Sequence, residues 1–253
     1  MSKRGIFWTF GVIGLGASLA MGQTAGSPVG SSGIAINIAG MENSDDIGVA
    51  LQLLMVMTLL TLAPSLIMLT TSFTRIVIVL SFVRTAMGVN QAPSNQIIIG
   101  LGLFLTFFIM TPSMDRIYGN AIEPYLNKEM KSTEALSVAS QEMKAFMLGQ
   151  TREDNIEWML SMANMGSTTI EDLPMRVVIP AFILSELKTA FQMGFMIFVP
   201  FLVVDFIISA SLMSMGMMMM PPTMIALPFK ILLFVLVDGW NLVVSSLVKS
   251  FQL

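Results

Sequence analysis

Leu212-Met-Ser-Met-Gly-Met-Met-Met-Met-Pro-Pro222 decides how the C-terminal half of the chain folds, because six of the nine residues from Leu212 to Met220 are methionine and two prolines follow. Methionine is unbranched, apolar and torsionally soft, so a cluster can close around an irregular gap and reopen without leaving a polar group unpaired. Four consecutive positions, Met217 to Met220, sweep most of the way round a helix and cannot all face one neighbour if the helix continues. Pro221 and Pro222 remove two backbone donors and push Met220 out of helical geometry. The run is therefore placed where a helix breaks. Inside a membrane, broken backbone is tolerated only where protein buries it or where it lines an aqueous cavity. Lining a deformable seal, packing or lipid contact, and copper(I) capture all stay open on these residues. Copper fits worst, since no His or Cys completes a soft site.

Working outward, composition sets the class. Of 253 residues, 55% are hydrophobic and 11% charged, with a mean hydropathy of +0.79, which indicates a membrane protein. Cys and His are both absent, which removes disulfides, thiol nucleophiles, most transition-metal sites and the usual general base at neutral pH. No metal, cofactor or enzymatic activity is expected. The net charge of -3 and the scattering of 13 basic residues leave no patch that could track nucleic acid.

Residues 1-22 read as a secretory signal peptide: Ser2-Lys3-Arg4 precedes an uncharged run from Ile6 to Ala20, with Ser18 and Ala20 spaced as a cleavage site requires. Residues 23-47 read as a flexible linker, too poor in apolar surface to pack. N-terminal hydrophobic helices are expected over 48-111. Gly48 to Leu69 gives 22 uncharged residues, enough to span a bilayer. Only eight residues separate Arg75 from Arg84, too few to cross, and both arginines suit the cytoplasmic side. Ile97 to Met110 is 14 residues, the length of a buried or re-entrant helix.

Residues 112-176 form a water-facing amphipathic region, in which Ser113 to Arg176 hold 16 of the 29 charged residues. Leu136, Ala139, Met143, Phe146 and Met147 recur at helical spacing, and Thr151-Arg-Glu-Asp154 resembles a cap opening a second helix through Trp158 and Met162. C-terminal hydrophobic helices follow over 177-253. From Val177 to Val199, Ser185, Lys188, Thr189 and Gln192 form a polar stripe, with Glu186 beside it. Beyond Pro200, Asp205 and Ser209 continue one face into Met213 and Gly216. Lys230, Asp238, Asn241 and Ser245 are further inward-facing signals. Such ionisable groups either line a path or pair between helices or subunits; Glu186, Lys188, Asp205, Lys230 and Asp238 include both signs and can neutralise one another.

Pro180-Ala-Phe-Ile-Leu-Ser-Glu-Leu-Lys-Thr-Ala-Phe-Gln-Met-Gly-Phe195 and Leu227-Pro-Phe-Lys-Ile-Leu-Leu-Phe-Val-Leu-Val-Asp-Gly-Trp240 resemble the two signatures of the FliP family of flagellar and type III secretion export-gate subunits. Thr71-Ser-Phe-Thr-Arg-Ile-Val-Ile-Val-Leu-Ser-Phe-Val-Arg84 and Phe107-Phe-Ile-Met-Thr-Pro112 are similar to the same family, so the likeness runs from about Leu51 to the C-terminus. The N-terminus and the sizeable polar region fit the flagellar branch better than the virulence branch.

The resemblance implies an all-α integral membrane protein whose broken hydrophobic helices form helical hairpins, with a polar helical periplasmic region. It implies that several copies assemble with FliQ and FliR, assisted by FliO, into a helical gate for unfolded flagellar proteins. The location implied is the bacterial inner membrane within the flagellar basal body, multi-pass and in contact with lipid, partly displaced towards the periplasm. The family's methionine gasket maps onto Met217, Met218, Met219 and, at the end of the run, Met220; its inter-subunit ion pair maps onto Glu186 and Lys230. With the resemblance in hand, lining becomes the leading reading of the methionines and assembly that of the ion pair. The alternative is a small-solute or ion transporter, which also wants broken helices and intramembrane charge but usually shows internal repeats, and none is found here. A membrane enzyme is a further alternative, weakened by the missing His and Cys and by the lack of a serine with a plausible base.

Overall fold

A computed structural model describes residues 44-89, 92-166, 169, 172-217 and 221-251. The expected signal peptide, 1-22, and linker residues 23-43 lie outside the described residues, as do Met218, Met219 and Met220. The chain divides between Leu51 and Gln52; of the first unit only the opening turns of helix α1 are described, and the second holds the packed helices. The described residues form an all-helical fold with no strand among them: α1 Ser44–Thr70, α2 Phe73–Met87, α3 Asn95–Ile117 continuing through a π-helical turn Tyr118–Ile122 into the short α4 Glu123–Leu126, α5 Ser132–Gln150, α6 Glu153–Met162, α7 Met175–Ser214, α8 Pro222–Leu236 and α9 Gly239–Lys249. Three of the helical stretches are long and apolar enough to cross a membrane, Gly48–Thr70, Asn95–Leu126 and Met175–Ser214, and the pair α8 and α9, bent by 62°, makes a fourth if it acts as one span.

Two of these helices outrun what their sequences suggest. Ile97 to Met110 is the middle of a 23-residue helix that passes through Pro112. The 40-residue α7 runs through both Pro180 and Pro200. Each internal proline forfeits one backbone hydrogen bond. Around Pro180 the side chains are packed, with Val177, Val178, Ala181 and Phe182 buried; beside Pro200, Phe201 is buried and Val199 and Leu202 are exposed.

Two hairpins pack on each other. In α2–α3, Arg84 reaches Asn95 near the turn while Gly102 lies against Val77 and Phe73, an antiparallel pair. In α7–α8, Phe201 meets Phe234 and Asp205 meets Lys230, again antiparallel. Across the hairpins, Arg75 lies opposite Glu186 and Phe82 opposite Gly194, so α2 and α7 run in the same direction. Their shared core is aliphatic, with Ile76, Val79, Leu80, Val83, Ala190 and Leu247 buried. A second cluster, Met110, Phe146, Met147, Leu173, Val178 and Phe182, seats the water-facing region on α3 and α7. Of the apolar stripe expected on α5, Phe146 and Met147 are buried and Leu136 is 73% exposed.

Gly194 sets the approach of α2 to α7. A Cβ there would sit inside contact distance of the Phe82 ring, which is held edge-on by Phe191 and Phe198 at centroid distances of 5.4 and 6.3 Å. Gly194→Val is expected to push α2 and α7 apart and cost about 1–3 kcal/mol, read as a lower thermal midpoint of the purified chain; an unchanged midpoint would show that Phe82 simply turns aside.

Candidate functional site

The methionine run begins where α7 stops, and the stop has a local cause. Gly216 adopts φ 76°, Met217 N–H donates to the Leu212 carbonyl at 3.0 Å, and Gly216 N–H donates to that of Met213 at 3.1 Å. This is a glycine-centred helix end, in which the left-handed residue turns the chain and satisfies two orphan carbonyls. The break thus comes ahead of the prolines, which serve the next helix instead: Pro221 precedes α8 and Pro222 occupies its first turn, where a missing N–H costs nothing. Met213 and Met215 are exposed on the last turn of α7, and Met217, just past Gly216, is 40% exposed.

Behind this turn lies a buried ionic node. Lys230 on α8 donates to Asp205 on α7 at 2.6 Å and to the Ala86 carbonyl at 3.3 Å. Ala86 lies in the last turn of α2, where carbonyls lack helical partners and the helix dipole favours a cation. One lysine therefore fastens α2, α7 and α8 together. Asp205 Oδ1 is buried without a partner among the described residues. Ser209, one turn along α7, is half-buried.

A second node sits at the other end of α2. Glu186 is fully buried and takes the Arg75 guanidinium in a fork: Nε donates at 2.8 Å to one carboxylate oxygen and Nη2 donates to the other. Arg75 Nη1 donates to Ser250 through both its carbonyl, at 2.9 Å, and its hydroxyl, at 3.0 Å, and the guanidinium stacks 3.9 Å from the Phe251 ring. Bidentate geometry, added donors and a stacked face satisfy a buried arginine more fully than lysine could manage. At 2% exposure Arg75 ties α2, α7 and the end of α9 into one unit. The sequence singled out Glu186 and missed its partner 111 residues earlier. Within the single chain Glu186 and Lys230 each have another partner, Arg75 and Asp205.

The polar stripe of α7 divides. Ser185, fully buried, accepts from Arg152 N–H at 3.1 Å and from Asn155 Nδ2 at 2.6 Å, and Gln192 Oε1 accepts from Arg152 Nη2 at 2.6 Å. Thr189 is half-buried between them and Lys188 is exposed. The stripe is the seat on which the start of α6 is clamped. The cap expected at Thr151 does not form: its hydroxyl donates back to the Met147 carbonyl at 2.6 Å, and α6 opens at Glu153 with Arg152 before it. Arg152 and Asn155 gave no sign in sequence, being ordinary polar residues of a polar region. Asp238 stands at the bend between α8 and α9 in a left-handed conformation, φ 49°, its carboxylate accepting from Asn241 at 3.2 Å. No group of three or more His, Cys, Asp or Glu that could hold a metal occurs among the described residues.

Comparison with known proteins places the whole arrangement. The FliP family model matches residues 56–247. A flagellar biosynthetic protein FliP of Bacillus subtilis is 48% identical over 217 residues, covering 85% of this chain and 98% of the relative. Proteins of the same name from Aquifex aeolicus and Caulobacter vibrioides are 49% identical over 206 residues (80% of this chain, 86% of the relative) and 45% identical over 245 residues (95% and 90%). Two signatures resembling the family's lie on α7 and α8, one around the Glu186 node and one around Lys230, and the match continues through both hairpins: the chain belongs to the FliP family.

Proposed function

We propose that this chain is a core subunit of the flagellar protein export gate, assembling in several copies with FliQ and FliR, with FliO as assembly factor, to form the inner-membrane channel through which unfolded flagellar proteins leave the cytoplasm. One observation supports this above others: near-half identity to flagellar biosynthetic proteins runs along almost their whole length. The geometry suits the role. A helix end at Gly216 leaves Met217 outside the register of α7, and copies arranged around an axis would present soft thioethers from Met217 onward as a seal. Such a ring excludes ions at rest and yields to a passing chain, where a stiff polar ring would leak. An ion pair between copies, Glu186 of one with Lys230 of the next, belongs to the same proposal; forming it requires both groups to leave or share Arg75 and Asp205.

Deleting the gene and assaying flagellar proteins in the culture medium tests the reading. Secretion is expected to stop, and to return when the native chain is supplied; two small helical membrane proteins are expected to co-purify with it. Unimpaired secretion, accompanied by loss of uptake of a small solute, would instead support the transporter alternative.

A further inference from the structure

Two cations on the flank of α7 are left without a carboxylate. Arg152 lies along the α7 stripe, its N–H on Ser185 and its Nη2 on Gln192, and exposed Lys188 lies on that same face, one turn before Gln192. Neither forms an ion pair with any described residue, although the chain does form such pairs at Arg75, Arg116 and Lys230. They stand where the charged region ends and apolar helix begins. Past Gln192 the α7 surface turns apolar and forms one wall of a cleft of about 520 Å³ with α8 and α9, lined by Met193, Met196, Ile197, Val237, Leu242 and, as a lone hydroxyl, Ser246. Met196 is eight residues past Lys188, or about 12 Å along the helix, and is 73% exposed, so the cleft is open from outside. Its volume lies within the ordinary range for small-molecule sites.

We infer that this is a phospholipid site, with the phosphate of an anionic glycerophospholipid on Arg152 and Lys188 and an acyl chain lying in the cleft between α7, α8 and α9. The juxtaposition selects the ligand: an anionic head adjoining an extended apolar tail matches two unpaired cations adjoining an apolar trough. Basic pockets at the ends of transmembrane helices bind anionic headgroups by this logic, each cation near the surface contributing about 1 kcal/mol.

Native mass spectrometry of the full-length chain, extracted in mild detergent and titrated with dioleoyl phosphatidylglycerol or the matching phosphatidylethanolamine, tests the site. The native chain is expected to hold phosphatidylglycerol about tenfold more tightly. Lys188→Gln, at an exposed position, leaves Arg152 and should cut the preference to about threefold, and Leu242→Trp, which fills the cleft, should weaken both lipids. Equal affinity of the native chain for the two lipids would overturn the site, as would a phosphatidylglycerol preference undiminished in Lys188→Gln or lipid retention that survives Leu242→Trp. The same holds if Met196→Cys in the assembled complex crosslinks to a neighbouring protein helix while lipid is excluded.

Discussion

Removing the Glu186 carboxylate is expected to destabilise the chain by about 3–5 kcal/mol, the cost of leaving a buried charge without its partner. Arg75 cannot shed its proton, and it is buried, with the Phe251 ring stacked on its guanidinium. Ser250 would still accept from Nη1, but Nε and Nη2 would point at nothing. Glu186→Ala should therefore lower the thermal midpoint of the detergent-purified chain and its accumulation in cells. The double variant Arg75→Leu with Glu186→Leu should recover much of that loss, because it buries neither charge. A Glu186→Ala chain as stable as the native one would mean that Arg75 reaches solvent. Assembly is read separately. If Glu186 of one copy pairs with Lys230 of the next in the gate, Glu186→Lys combined with Lys230→Glu should assemble better than either change alone; a combined variant as poor as both singles would count against the pair.

Much of this architecture is legible in the sequence, and the residues that are not share a reason. The polar stripe on α7 shows itself because helical periodicity is local: Ser185, Lys188, Thr189 and Gln192 announce a polar face, though not that Arg152 and Asn155 would cover part of it. Ionic partners are long-range, so Arg75, bounding a run too short to cross, carries no local sign that it is the counter-ion of Glu186, on a helix that begins 100 residues later. Pro112 and Pro200 bound the segments read from the sequence because propensity is local too, yet α3 runs on through Pro112 and α7 through Pro200. Pro221 and Pro222 mark a helix end in the sequence, yet Gly216 produces it five residues before Pro221 through its positive φ. A lone glycine in an apolar run reads as a helix end only when its conformation is known.

The second large effect concerns the seal. The proposal makes Met217, Met218 and Met219 the soft contacts that close the gate, and shortening all three to alanine removes most of the thioether volume from each copy at once. Met217 joins the turn after α7 only through its backbone N–H on the Leu212 carbonyl, which alanine keeps, and all three variant residues follow Ser214, the last residue of α7, in sequence, so the helical hairpins should be untouched and the complex should still form. In several copies around one axis the loss is multiplied, so the closed channel should conduct small ions. Passive ion leak across the inner membrane, measured in cells that make the chain with its partner subunits, is therefore the most direct measurement. The account predicts that Met217→Ala, Met218→Ala and Met219→Ala together raise the leak well above that of the native complex while the complex assembles to the same extent. Fully assembled variant with no added leak would contradict it, and would return the methionines to packing or lipid contact.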